Sequence, residues 1–352
     1  MDVTHSQSIS QSYLSRVRSK YWILLTLSIL LTLSVAIDVS VGPGKFAFQV
    51  VLETLLDRTA HGVQLEVIIW DYRLPVALTA IIVGAMLGIA GALMQTILNN
   101  PLAEPFTLGV SSAASFGAAV AIVIGASVFP MAKDMLVTIN AFVFALSTCA
   151  VLLVLTRIKG VGTQSMVLFG IAIFFTFSAL LSMLEYNASE SQLQRIIFWM
   201  MGSLSRASWE KIGLGVLLLV IVIPFCLSRT WKLTSLRLGE ESAKSMGINV
   251  SRLRIEILIC ISLLAATAVS FVGTVGFVGL VGPHIARLLV GEDQRFFLPL
   301  SAIIGALVLS ITSIVSKSIT PGVIYPIGII TALIGVPVFL SIIFSTRKER
   351  LS

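Results

Sequence analysis

Residues 99–122 read NNPLAEPFTLGVSSAASFGAAVAI, and this stretch decides the fold. A polar turn holding Pro101 and Pro105 interrupts two glycine-studded apolar stretches. Hydrocarbon cannot satisfy the backbone groups that such a break exposes. A break of this kind is tolerated only where protein or a water-filled pathway surrounds it. The pattern points to a transporter or channel more than to a simple anchor.

The rest of the chain is oily enough to support that reading. Of 352 residues, 57% are hydrophobic and only 12% charged, with a mean hydropathy of +1.00. Soluble domains carry roughly 25% charged residues. A membrane helix needs only about 20 residues, so the length allows about ten spans joined by short loops. Apolar segments fall at 21–40, 74–97, 107–127, 135–156, 166–184, 211–228, 255–272, 273–290, 299–316 and 326–345. The expected fold is all-α: one polytopic unit of about ten transmembrane helices with its core at 21–345. Residues 1–20 and 346–352 are expected as tails. Only the glycine-rich run Gly273–Gly282 separates the seventh and eighth segments, which calls for a tight reversal. The first segment is longer than a signal core and many spans follow it, so it reads as a retained helix, although Ser34-Val35-Ala36 has the form of a cleavage site.

Ten spans place both termini on one side. Sixteen of the 24 lysines and arginines fall on that side. Positive residues concentrate in the cytoplasm, so both termini are expected there. The bias also accounts for the net charge of +7 without nucleic acid. Trp22, Trp70, Trp199, Trp209 and Trp231 fall near span ends or in loops, as an interfacial belt would have them. Gly84, Gly88 and Gly91, then Gly273, Gly276, Gly279 and Gly282, form two patches that let helices approach closely. Both are followed by a proline turn, the order an internal duplication would leave.

Chemistry is sparse. Asp38, Glu256 and Lys317 lie near span ends, and the span interiors carry almost no ionisable groups. That weakens an ion-driven carrier, which usually needs one there. No GxxxxGK[ST] phosphate loop, HExxH pair or nucleophile elbow occurs. The three histidines are scattered, and Cys149, Cys226 and Cys260 have no paired spacing. Neither an enzyme nor a resident cofactor or metal is expected. In the longest connecting loop, residues 229–254, Leu238–Met246 reads as a short helix that Gly247 ends with a left-handed cap. It would suit force transmission from a soluble partner or serve as a solvated connector.

Several stretches closely resemble the FecCD-type permeases: RLPV at 73–76, GAMLGIAGALMQ at 84–95 and NNPLAEPFTLGVSSAASFG at 99–117. GSL at 202–204, LGEESAKSMGI at 238–248, FVGTVGFVGLVGPHIARLL at 271–289 and YPIGIITALIGVPVF at 325–339 continue the match. These permeases are the membrane subunits of ABC importers for iron–siderophore complexes, haem and vitamin B12. The resemblance implies a ten-helix subunit of the cytoplasmic (inner) membrane that pairs with a second permease, as homo- or heterodimer. Two cytoplasmic ATPase subunits carry the ATP and magnesium. An extracytoplasmic binding protein delivers an iron–siderophore complex. No nucleic acid enters the scheme.

By position, the resemblance assigns Arg73 and Lys317 to binding-protein docking and Gly239, Glu240, Ala243 and Gly247 to ATPase coupling. Thr163 and Gln164 fall in a cytoplasmic gate, although Thr163 could equally cap its helix. Asn100, Pro101, Pro105, Gly109, Pro283 and His284 shape the path. Val76 stands where the family has a second arginine. Snorkelling to lipid headgroups is the plainer role for the basic pair. Haem or vitamin B12 cargo and an ion-coupled secondary carrier are the alternatives.

Overall fold

A computed structural model describes residues 3–44, 46–125, 133–155 and 163–349, with side chains placed for 14–44, 46–106, 108–125, 135–155 and 165–341. The chain runs α1 (Val3–Ser40), α2 (Phe48–Leu56), α3 (Val63–Glu66), a π-helical segment Val67–Arg73 and α4 (Leu74–Ile97). Then come α5 (Val110–Val123), α6 (Lys133–Leu155), α7 (Thr163–Asn187), α8 (Glu190–Met200), α9 (Trp209–Leu227), α10 (Thr230–Arg237) and α11 (Glu240–Ser245). The last four are α12 (Val250–Val272), α13 (Val278–Val290), α14 (Gln294–Ser318) and α15 (Ile327–Glu349). No strand occurs among the described residues.

The ten expected spans correspond to α1, α4, α5, α6, α7, α9, α12, α13, α14 and α15. Among the described residues, seven segments are long and apolar enough to cross a membrane. The other three are shorter: Val110–Val123, Val278–Val290 and Ile327–Ser341. Two of them differ from expectation for one reason. The segment expected at 107–127 opens on the end of a 3-10 turn (Pro105–Leu108) and Gly109, and that expected at 273–290 on irregular backbone, so in both the α-helix begins later. Residues 3–20, read as a tail, continue α1 as helix.

α4 is the hub. Twenty of its 24 residues are buried, as befits a helix apolar on all sides. Gly84 and Gly88 lie against the backbone of Gly305 and Ser301 in α14, and Gly91 lies against Gly279 in α13. The two glycine patches read from the sequence are thus partly one contact, since Gly91 of the first meets Gly279 of the second. α1 runs parallel to α14. The Tyr21 ring, midway along α1, meets Phe296 near the start of α14 (centroids 5.2 Å apart), and further along both helices Ser34 accepts from Ser310 at 2.9 Å. The short helices mark the bundle's two ends: α2 and α8 at one, α10 and α11 at the other.

Local sequence sets several helix starts. Ser189 and Gln192 form a reciprocal capping box at α8. Asn249 caps α12 and Asp293 caps α14 through side-chain oxygens that accept backbone N–H groups.

Candidate functional site

The break at residues 98–109 is a compact turn, not an open loop. The Asn100 side chain accepts the Leu102 N–H at 3.0 Å, and the Asn100 carbonyl accepts from Ala103 at 3.2 Å. Pro101 and Leu102 face outward, whereas Ala103, Pro105 and Leu108 are buried. Gly109 ends the turn at φ +81°, and a Cβ there would press on Ile173 and the Phe174 backbone of α7. Both the left-handed backbone and the tight fit demand glycine.

A second break, residues 273–277, separates α12 from α13. It descends beside α15: the Thr274 carbonyl lies against Gly328, and Phe277 lies against Gly335. Phe277 takes φ +69°, uncommon for a bulky residue. The two breaks meet. The Glu104 carboxylate accepts the Phe277 backbone N–H, and Pro105 contacts Gly279 at Cβ range. Irregular backbone is therefore packed against protein where the breaks meet and lines an open cavity at Thr274 and Gly276, the two settings in which membranes tolerate it. Pro283 is buried within α13 and His284 is partly exposed on it.

The basic pair assigned to docking sits at the α2–α8 end, but inside the protein. Arg73 is 3% exposed. It donates to the carbonyls of Val39 (3.1 Å), Ser40 (3.1 Å), Pro43 (2.8 Å) and Gly44 (2.7 Å). Lys317 forms a buried ion pair with Asp38 at 2.7 Å and donates to the Asp38 carbonyl at 3.1 Å. Ser313 donates to the same carboxylate at 3.0 Å. Arg73 thus braces the turn after α1, and Lys317 ties the end of α1 to α14. Val76 is also buried; the position where the family has a second arginine faces the core here. Sequence reasoning placed Asp38 and Lys317 near span ends without pairing them. They lie 279 positions apart, beyond any local pattern.

At the other end, α10 and α11 form the partner-facing candidate. Gly239 at φ +110° and Gly247 at φ +78° bound α11. Ala243 is fully buried, so it anchors α11 from beneath. Glu240 pairs with Arg254 of α12 at 2.8 Å and with Lys244 at 3.4 Å. Trp231, Leu238 and Met246 project outward. The short helix and its glycine cap were legible. α10 was not, because its mixed TWKLTSLR sequence has no clear apolar stripe. The Thr163 and Gln164 side chains lie outside the described residues.

A cavity of about 990 Å³ opens at the α2–α8 end. Arg195, Arg206, Lys211 and Glu210 supply its charges. Arg206 donates to the Val272 carbonyl at 3.2 Å, and Lys211 donates to the Arg206 carbonyl at 2.8 Å. Burial lowers the Arg206 guanidinium to about 10, so it stays charged at neutral pH. Three cations against one carboxylate give the mouth a positive field. The sequence reading did not single out this cluster. Its residues are spaced as ordinary loop and cap positions, and only the fold converges them. Among the described residues no three His, Cys, Asp or Glu side chains group as a metal site.

Comparison with known proteins agrees with this architecture. The model of the FecCD transport family matches residues 29–345. The Fe(3+)-citrate import system permease protein YfmE of Bacillus subtilis is 35% identical over 93% of this chain and 96% of its own length. The vitamin B12 import system permease protein BtuC of Vibrio cholerae is 35% identical over 78% and 81%. A solved protein described as a metal-chelate type ABC transporter, in an inward-facing conformation, superposes with a TM-score of 0.78. It is 31% identical and covers 92% of this chain and 99% of its own. With its two meeting breaks, buried hub helix and matching family model, this chain belongs to the FecCD transport family as a multi-pass permease subunit of an ABC importer.

Proposed function

We propose that this permease carries an anionic iron–siderophore complex across the cytoplasmic membrane. In this reading the α2–α8 end faces outward and both termini lie in the cytoplasm. A second permease copy or homologue completes the pathway, and an extracytoplasmic binding protein delivers the cargo. Two ATPase subunits engage α10 and α11, with Gly239, Glu240, Ala243 and Gly247 shaping the docking element. Arg73 contributes to binding-protein docking by bracing the turn at 39–44, and Lys317 by fixing Asp38 just before it, not through free charges.

The cation-lined cavity is the observation that carries the cargo class. A mouth of net positive charge focuses anionic ligands and raises their capture rate. Ferric chelates with carboxylate or catecholate groups fit that field. Similarity to an Fe(3+)-citrate permease supports the same class. Vitamin B12 carries no comparable concentration of negative charge, and haem confines its charge to two propionates at one edge of an apolar plate.

Uptake measured in a deletion strain tests the reading. Loss of this chain is expected to abolish accumulation of a radiolabelled anionic ferric siderophore while leaving haem and vitamin B12 uptake intact. Arg195→Glu is expected to lower the uptake rate roughly tenfold, within the range of electrostatic steering, and more at low salt than at high salt. Loss of haem or vitamin B12 uptake instead would overturn the cargo assignment.

A further inference from the structure

Glu292 lies in the turn between α13 and α14, where its Oε1 serves two arginines. Arg237, the last residue of α10, donates Nη2 to it at 2.5 Å. Arg287 of α13 places Nε 2.8 Å from the same oxygen. Each arginine also reaches α4 or the turn that follows it. Arg237 Nη1 donates to Asn99 Oδ1 at 2.7 Å, and Arg287 Nη2 donates to Gln95 Oε1 at 2.9 Å. Asn99 opens the break with φ +48°, a left-handed conformation that asparagine tolerates. Gln95 is fully buried.

Exposed ion pairs usually contribute little, and Glu292 itself is 39% exposed, but both of its partners are largely buried. The two arginine side chains are only 16–17% exposed. Their guanidinium planes present several donors in fixed directions, which allows one side chain to bridge two partners. Without Glu292, two partly buried cations would face each other with no shared counter-charge.

We infer that Glu292 is a positioning residue that ties the α10–α11 loop to the break at 98–109, so that the two move as one body. Motion imposed on the loop then reaches Asn99 through Arg237. From there it passes along the turn to Glu104 and Pro105, which touch the second break at Phe277 and Gly279. The functional consequence rests on the proposal that α10 and α11 meet the ATPase; the tie itself does not.

Spin labels at Leu102→Cys and Leu238→Cys, both exposed positions, report the tie in the full-length chain. The three buried cysteines are replaced by alanine in that background. The parent is expected to give one narrow distance distribution, and Glu292→Gln a broadened or bimodal one. Arg237→Lys keeps the charge but cannot bridge Asn99 and Glu292 with two nitrogens. It is expected to broaden the distribution even if Glu292→Gln folds poorly. A merely structural role would lower the melting temperature and leave the distance unchanged. Coincident distributions in the parent, Glu292→Gln and Arg237→Lys would overturn the inference. In the complete transporter, Glu292→Gln is expected to raise ATP hydrolysed per cargo molecule at least about fivefold, the low end of typical coupling between sites. A broadened distance with an unchanged ATP ratio would support the tie and count against the loop as the ATPase contact.

Discussion

Lys317→Met is expected to destabilise the protein by about 3–5 kcal/mol, the cost of removing one member of a buried ion pair. Asp38 is fully buried and Lys317 nearly so. Deleting the ammonium leaves a carboxylate whose remaining side-chain donor is Ser313. In a low-dielectric interior that charge is not compensated by one hydroxyl. The measurement is thermal unfolding of the detergent-solubilised protein, together with its abundance in the membrane. The double variant Asp38→Leu/Lys317→Met is expected to recover most of the loss, because apolar replacement of a buried pair is often neutral or stabilising. Full stability in Lys317→Met alone would show that Lys317 does not hold α1 to α14.

Gly91→Ala is expected to be comparably severe. An added Cβ would lie 1.8 Å from the Gly279 carbonyl oxygen and 2.5 Å from its carbon. Both are backbone atoms, so no rotamer change relieves the contact. α4 and α13 would have to separate by roughly 1.5 Å to restore van der Waals distance, pulling apart the two breaks. Overpacking costs typically about 1–3 kcal/mol and occasionally more, and this site belongs at the upper end. Gly213 in α9 is the control, since a Cβ there meets nothing within 4 Å. Gly213→Ala is expected to be neutral or stabilising by roughly 0.5–1 kcal/mol, as alanine is the better helix former. Equal melting temperatures for Gly91→Ala and the parent would contradict the close approach of α4 to α13.

The parts of this fold that were legible in the sequence are those written in short-range chemistry. The interruption at 99–109, the glycine patches and the capped helix before Gly247 each depend on neighbours within a few residues. Hydropathy alone located the ten apolar segments. It misjudged where α5 and α13 begin, because hydropathy does not distinguish apolar helix from apolar irregular backbone such as Thr274-Val275-Gly276-Phe277. Long-range electrostatics were not legible at all. Asp38 and Lys317 fall near separate span ends in the sequence, and nothing local marks Glu292. Their meaning comes from partners on distant helices. Arg73 shows the limit of transfer by motif: position alone assigned it to an outer surface, whereas four backbone carbonyls enclose its guanidinium.

The source of energy decides whether this chain is a conduit moved by partners. Right-side-out native membrane vesicles, supplied with the cell's binding protein and a radiolabelled ferric siderophore, can be loaded with ATP or with a non-hydrolysable analogue. Accumulation is expected with internal ATP, to persist when a protonophore collapses the ion gradient, and to vanish with the analogue. Accumulation without ATP, driven by an imposed ion gradient and abolished by the protonophore, would show instead that the chain powers its own transport.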